Sequence, residues 1–127
     1  LIQYLFAVDR TNEDVSYLYN PGHRAIFSII KMFTDAADKL EQQKRPHISV
    51  CGEMASDPII LLALLGMGIR HLSVSIPSIP LVKHIVRSVS QVECRQIASK
   101  SYAQLKPELD LTELRDYLNK QVDGSFA

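Results

Sequence analysis

The stretch "HISVCGEMASDPIILLALLGMGIRHLSVS", residues 47 to 75, decides the fold. It begins with a short β-branched run, "HISVC", ends with a second, "HLSVS", and has an almost wholly apolar segment between them. Asp57 followed by Pro58 is a helix-start signal, and Gly66 with Gly68 is a helix-end signal. The order strand, buried helix, strand predicts a βα unit whose two strands are parallel.

A long amphipathic helix is predicted before this unit, from about residue 21 to residue 42. Asn20 and Pro21 give its start signal, an N-cap followed by proline at the first helical position. The polar stretch "EQQKRP" ends it. Its apolar side at helical spacing is formed by Ile26, Ile29, Ile30, Phe33, Ala37 and Leu40.

Three further helices are predicted after the second strand. Ser78 is expected to cap the helix "IPLVKHIVRS", Ser90 with Glu93 to form a capping box for the next, and Asp110 with Glu113 to open the last. Two parallel strands cannot form a stable sheet by themselves. The pattern therefore also predicts that further strands come from outside this sequence.

Composition sets the class of protein. With 127 residues, 46% of them apolar, the chain can build the core of one domain. Fourteen basic side chains balance fourteen acidic ones, so neither a nucleic-acid partner nor an anionic membrane is predicted. The longest apolar run is far shorter than the roughly 20 residues of a membrane span. Two cysteines are too few for a disulfide framework, which favours a reducing cytoplasm.

Cys51 and Arg10 are the candidate functional residues. A cysteine at the end of a strand is often a packed side chain, but ligands of parallel α/β folds lie at the carboxyl ends of strands, and Gly52 permits close approach. Arg10 is either a solvated charge or a clamp for phosphate or carboxylate. The four histidines have no metal-ligand spacing, so surface or capping roles are expected for His23, His47, His71 and His84.

Three segments, taken in order and spacing, carry a resemblance to a known family. "LIQYLFAVDRTNE", "SVCGEMASDP" and "SIPLVKHIVRSVS" resemble the last third of the phosphoenolpyruvate-binding barrel of enzyme I, the phosphoenolpyruvate-protein phosphotransferases of the bacterial sugar phosphotransferase system, and of its nitrogen-system paralogues. The likeness covers residues 1 to about 103. The pyruvate phosphate dikinases and phosphoenolpyruvate synthases share the cysteine-glycine pair and are an alternative.

The resemblance implies a fold and a place in a longer protein. The fold would be α/β and helix-rich: the last two strands of a (β/α)8 TIM barrel with its helices. Residues 1–103 would be barrel elements and 104–127 a C-terminal helical tail. The chain begins in apolar sequence without an initiator methionine, so it is expected to be a C-terminal fragment. A fragment with open sheet edges is expected to self-associate.

The resemblance also implies a reaction. Phosphoenolpyruvate would phosphorylate a histidine of a separate N-terminal domain, pyruvate would be released, and the phosphoryl group would pass to a histidine-containing phosphocarrier protein. Cys51 matches the general acid that protonates the substrate's methylene carbon, and Arg10 matches an arginine that grips its phosphate. A free thiol is mostly protonated at neutral pH, as an acid must be. None of the four histidines matches the phosphorylated one.

The remaining implications concern cofactor, assembly and subfamily. The intact enzyme would use Mg²⁺ with ligands upstream of this chain, would be a homodimer and would be cytoplasmic, whereas the fragment is expected to be inactive. Ser56, Leu81 and the loop "EQQKRP" depart from the family pattern and leave the sugar and nitrogen branches both open. A non-catalytic interaction or dimerisation module, with Cys51 merely packed, is the alternative from a different class.

Overall fold

The computed structural model describes residues 1–9, 11–104 and 106–122. These residues form seven α-helices and one two-stranded sheet, with short 3-10 turns between them. In chain order the elements are α1 (Ile2–Phe6), α2 (Arg24–Asp38), β1 (Ser49–Cys51), α3 (Glu53–Ser56), α4 (Pro58–Gly66), β2 (His71–Ser73), α5 (Ile79–Ser88), α6 (Gln91–Ala103) and α7 (Thr112–Gln121).

The predicted βα unit is confirmed. Strands β1 and β2 are parallel and adjacent, with Val50 opposite Leu72 and Cys51 opposite Ser73. Each strand has three residues, so both are shorter than predicted, and the short helix α3 was not predicted. Because side chains alternate along a strand, Val50 and Leu72 face the hydrophobic core while their neighbours lie on an exposed face.

Helix α4 is the centre of the core. Its cap was predicted correctly, since the Asp57 carboxylate accepts hydrogen bonds from the backbone N–H groups of Ile59 and Ile60, both at 2.9 Å. Every residue from Ile59 to Gly66 is buried. The helix is only nine residues long, and within the described ranges no helix is both long and apolar enough to cross a membrane.

The predicted start of the long helix was wrong. The Asn20 side chain accepts a hydrogen bond from the N–H of Gly22 at 2.9 Å and so closes a turn before the helix. Helix α2 begins at Arg24, where the His23 ring nitrogen accepts from the N–H of Ala25 at 3.1 Å. The capping role expected for His23 is thereby confirmed. Helix α2 ends at Asp38, four residues before the predicted end.

The predicted buried side of α2 was partly wrong. Phe27 is fully buried and Thr34 is also buried, whereas Phe33 is 61% exposed and Leu40 lies on the surface. The apolar side of this helix is wider than the stripe that is buried, so apolar residues such as Met32 and Phe33 remain exposed. Periodicity alone therefore could not decide which part of the apolar side enters the core.

The caps predicted for the last helices are replaced by other contacts. Ser78 does not bond to the start of α5, and its hydroxyl lies 2.7 Å from that of Ser75. Ser90 and Glu93 do not bond reciprocally. Instead the Tyr117 hydroxyl of α7 accepts from the Ser90 N–H at 2.8 Å and donates to the Glu93 carboxylate at 2.7 Å.

The last described segment belongs to the same core. Leu114 and Leu118 of α7 are fully buried in the cluster built around α4. Helix α7 begins at Thr112 rather than Asp110, whose carboxylate accepts from the Thr112 N–H at 3.2 Å. Hydrogen bonds from the Thr112 hydroxyl and, to a lesser extent, from its N–H lower the pKa of Asp110. The boundary between barrel elements and tail near residue 104 stays a prediction, since α6 and α7 share one core.

Candidate active site

Cys51 is the last residue of β1 and ends the strand at its carboxyl end. Its side chain is exposed and its thiol is free. The parallel register puts Cys51 directly opposite Ser73 on the exposed face of the sheet. The thiol is thus presented at the strand tip, away from the core side formed by Val50 and Leu72.

Gly52 turns the chain immediately after the thiol. Its φ of 84° and ψ of −164° lie in a region that only glycine adopts readily. A Cβ at Gly52 would meet nothing within 4 Å, so backbone conformation rather than space calls for glycine here. Glu53 follows as the first residue of α3.

Two depressions meet at this turn. A cleft of about 300 Å³ lies between α1, α2 and β1, and a shallow hollow of about 660 Å³ lies on the β2 side. Gly52 and Glu53 line both, and Cys51 lines the first. The wall of the cleft is largely aliphatic and aromatic, while Ser73, Ser75 and Ser78 make the hollow polar. A substrate with an apolar carbon and a polar group could therefore span the turn.

Arg10, the other predicted site residue, lies outside the described residues. Its two sequence neighbours bond to each other: the Asp9 carboxylate accepts from the Thr11 N–H at 2.9 Å and from the Thr11 hydroxyl at 2.7 Å. Whether Arg10 reaches the Cys51 cleft is therefore not tested, and its phosphate-binding role stays a prediction.

No metal centre is formed by the part of the chain that the structure describes, since no group of three or more His, Cys, Asp or Glu side chains is placed to hold an ion. The residues present thus do not fit a magnesium site on their own. Asp57 in particular uses its carboxylate to cap α4. We assign no chemical step to a metal held by these residues.

Sequence reasoning missed one histidine pair. Nδ1 of His47 lies 3.1 Å from Nε2 of His71, and the rings meet edge to face. The two residues are far apart in sequence and match no ligand spacing. The available signal was topological, because His47 just precedes β1, His71 opens β2, and the amino ends of adjacent parallel strands lie side by side.

Comparison with known proteins gives the family. The family described as "PEP-utilising enzyme, PEP-binding domain" matches residues 1–91 of this chain. The chain is 39% identical over 98 residues to the phosphoenolpyruvate-protein phosphotransferase of Haemophilus influenzae, covering 77% of this chain and 16% of that protein. It is 35% identical over 122 residues to the protein of the same name from Buchnera aphidicola subsp. Schizaphis graminum, covering 96% and 20%.

A third relative carries a different name. The multiphosphoryl transfer protein of Escherichia coli O6:H1 is 33% identical over 139 aligned residues, covering the whole of this chain and 16% of that protein. The chain thus spans about a sixth to a fifth of the length of these curated relatives. The family match covers well over half of the chain, and we conclude that the chain belongs to the PEP-utilising enzymes and includes part of their PEP-binding domain.

Proposed function

We propose that this chain is the thiol-bearing part of a phosphoenolpyruvate-protein phosphotransferase, with Cys51 as the acid that protonates the substrate carbon. The observation that carries the proposal is the exposed Cys51 side chain at the carboxyl end of a parallel strand, beside a cleft with an apolar wall. This is the end of the strands at which α/β enzymes place their chemistry. The names of the relatives supply the reaction.

The chemistry requires one proton at carbon. The phosphorus–oxygen bond of phosphoenolpyruvate breaks as the phosphoryl group moves to a histidine nitrogen, and the electron pair stays on the enolate oxygen. The Cys51 S–H then gives its proton to the methylene carbon, which yields pyruvate, and the thiolate regains a proton from solvent. Positioned proton transfer of this kind contributes about 10²- to 10⁴-fold to a rate.

The alternative of a non-catalytic module requires Cys51 to be a packing residue. A packed cysteine is buried, as Cys94 is with 0% exposure, but Cys51 is exposed. Cys51 also ends its strand beside the cleft, and this position favours a chemical role over a packing role. It does not distinguish phosphotransferases from the pyruvate phosphate dikinases, for which the names of the relatives decide.

The wider proposal concerns the intact protein. We propose that β1 and β2 are the last two strands of a TIM barrel, that Arg10 binds the phosphate of phosphoenolpyruvate, and that Mg²⁺ is held by ligands other than the described residues. The phosphoryl group would pass to a histidine-containing phosphocarrier protein in the cytoplasm. The parallel pair with α4 as its crossover is what such a barrel repeats.

The test uses a full-length phosphotransferase that contains this segment. Cys51→Ala should lower the rate of pyruvate formation about 10²-fold or more. Cys94→Ala, which removes a buried thiol remote from the strand tip, is the matched control and should keep the parent rate. A Cys51→Ala enzyme within about twofold of the parent would end the proposal. This chain alone, mixed with phosphoenolpyruvate, magnesium and the carrier protein, should transfer no phosphate.

Self-association is a further part of the proposal. Both strands have an outer edge without a partner strand among the described residues, and Tyr4, Met32 and Phe33 are 92%, 71% and 61% exposed. Open edges beside apolar surface favour pairing between copies. Sedimentation of this chain should show a dimer or larger species, and a folded monomer at high concentration would contradict this.

A further inference from the structure

Another cavity lies at the opposite end of the sheet from Cys51. It has a volume of about 410 Å³ and opens beside the amino ends of β1 and β2, near His47 and His71. We call it the basic cavity. Its charged and titratable lining groups are Arg45, Arg70, Arg95, His47, His71 and Asp38.

The three arginines come from three separate parts of the chain and are held differently. Arg45 bonds to Asp38, with the carboxylate and the backbone carbonyl each at 3.3 Å. Arg70 donates from Nη1 to the carbonyls of Leu65 and Ile69 at 3.4 and 3.1 Å. The side chain of Arg95, on α6, has neither a hydrogen bond nor an ion pair with any other residue within the described ranges.

The arrangement concentrates positive charge. Three guanidinium groups and one carboxylate leave two positive charges in excess even if both imidazoles are neutral. The whole chain has no net charge, so this excess is a property of the cavity and not of the composition. Like charges that converge on one cavity repel one another, and an anion that binds among them relieves this repulsion.

We propose that the basic cavity binds a phosphate group, carried by a small organic molecule or present as the free ion. A phosphate ester near neutral pH carries about 1.5 to 2 negative charges, which matches the excess in the cavity. Guanidinium groups bind phosphate oxygens in pairs, and Arg70 and Arg95 keep donors that the protein does not use. The volume is within the range of small-ligand pockets.

This binding site is independent of the proposed function. None of its lining residues lines the cleft or the hollow at Cys51 except Ile48, which is apolar. The ligand would therefore bind without touching the reacting groups. Phosphate binding should persist in Cys51→Ala, so the failure of one proposal leaves the other standing.

The experiment is a titration of the isotope-labelled chain followed by NMR of the arginine and histidine side chains. The probes are inorganic phosphate, glycerol phosphate and, as a dicarboxylate of similar charge, malonate. Saturable shifts confined to the lining of the basic cavity are expected with a phosphate probe. Tighter binding of glycerol phosphate would indicate an organic ligand, and tighter binding of inorganic phosphate would indicate the free ion.

The matched variants are Arg95→Gln and Arg115→Gln. Both remove one exposed positive charge, but Arg115 lies on α7 and does not line the basic cavity. Arg95→Gln should weaken binding about tenfold, and Arg115→Gln should leave it unchanged. Equal weakening by both variants, stronger binding of malonate than of phosphate, or no saturation would each overturn the proposal.

Discussion

Cys51 and Cys94 carry the same side chain in opposite surroundings. Cys51 is exposed at the end of a strand, and Gly52 turns the chain immediately after it. Cys94 lies within α6, fully buried against α4. Burial, reinforced by the neighbouring Glu93 carboxylate, raises the pKa of the Cys94 thiol to about 11. The comparison teaches that position in the fold, and not residue type, decides which thiol can do chemistry.

Thiol modification tests the difference between Cys51 and Cys94 most directly. In the folded chain an alkylating reagent should modify Cys51 at least about 100-fold faster than Cys94, because Cys94 reacts only after the α4–α6 contact opens. Mass spectrometry of peptides sampled over time measures both rates. In denaturant the two rates should converge. Similar rates in the folded chain would show that Cys94 is not held in the core as described.

The contact that buries Cys94 can be tested at Gly66. A Cβ placed there would lie 2.5 Å from the carbonyl oxygen of Cys94 and 2.8 Å from its carbonyl carbon. Ala is the better helix former by about 1 kcal/mol, but backbone atoms cannot yield as a side chain can, so α4 and α6 must separate. Gly66→Ala should lower the free energy of unfolding by about 2 to 3 kcal/mol, measured by urea denaturation.

Gly68→Ala is the control for this substitution. Gly68 has a φ of 94°, but a Cβ there would meet nothing within 4 Å. Its cost is backbone strain alone, about 1 kcal/mol. If Gly66→Ala proved as stable as the parent chain, the close approach of α4 to α6 would be wrong.

The raised pKa of Cys94 gives a prediction in alkaline solution. Below pH 9 the thiol is protonated in both states, so its contribution to stability is complete. As the pH rises from 9.0 to about 11, the unfolded chain loses the proton first, and stability is lost. The loss from this group should be about 2 kcal/mol by pH 11.

Lysine and tyrosine side chains in general also lose protons in this alkaline range. The contribution of Cys94 is therefore measured as the difference between two proteins. The free energy of unfolding is measured between pH 8 and 11 for the parent chain and for Cys94→Ala. The parent should fall more steeply. Parallel curves would show that the Cys94 thiol is not held protonated by burial.

The sequence predicted well the features that depend on residues close together along the chain. Asp57, Pro58 and the apolar run after them are local signals that predicted α4, and the β-branched runs "HISVC" and "HLSVS" predicted both strands and the strand-end position of Cys51. The buried side of α2 was predicted only in part because its apolar side is wider than the stripe that is buried. Gly52 was expected to permit close approach beside Cys51, but its positive φ was not predicted.

Contacts between distant segments could not be predicted. The pair His47 and His71 joins residues at the amino ends of two different strands, and the basic cavity adds arginines from two loops and from α6. No local pattern links these residues, because parallel strands bring their amino ends together only after the crossover helix has packed. The Tyr117 hydroxyl that replaces the predicted capping box is a tertiary contact of the same kind.

The smallest predicted effect concerns this hydroxyl, which holds the start of the helix that carries Cys94. Tyr117→Phe removes the acceptor of the Ser90 N–H and the donor to Glu93. Because both partners are exposed and can bond to water instead, the free energy of unfolding should fall by only about 1 kcal/mol. Tyr4→Phe, at a side chain that is 92% exposed, is the control and should change nothing. Equal stability of the two variants would show that the Tyr117 hydroxyl does not help to anchor the start of α6.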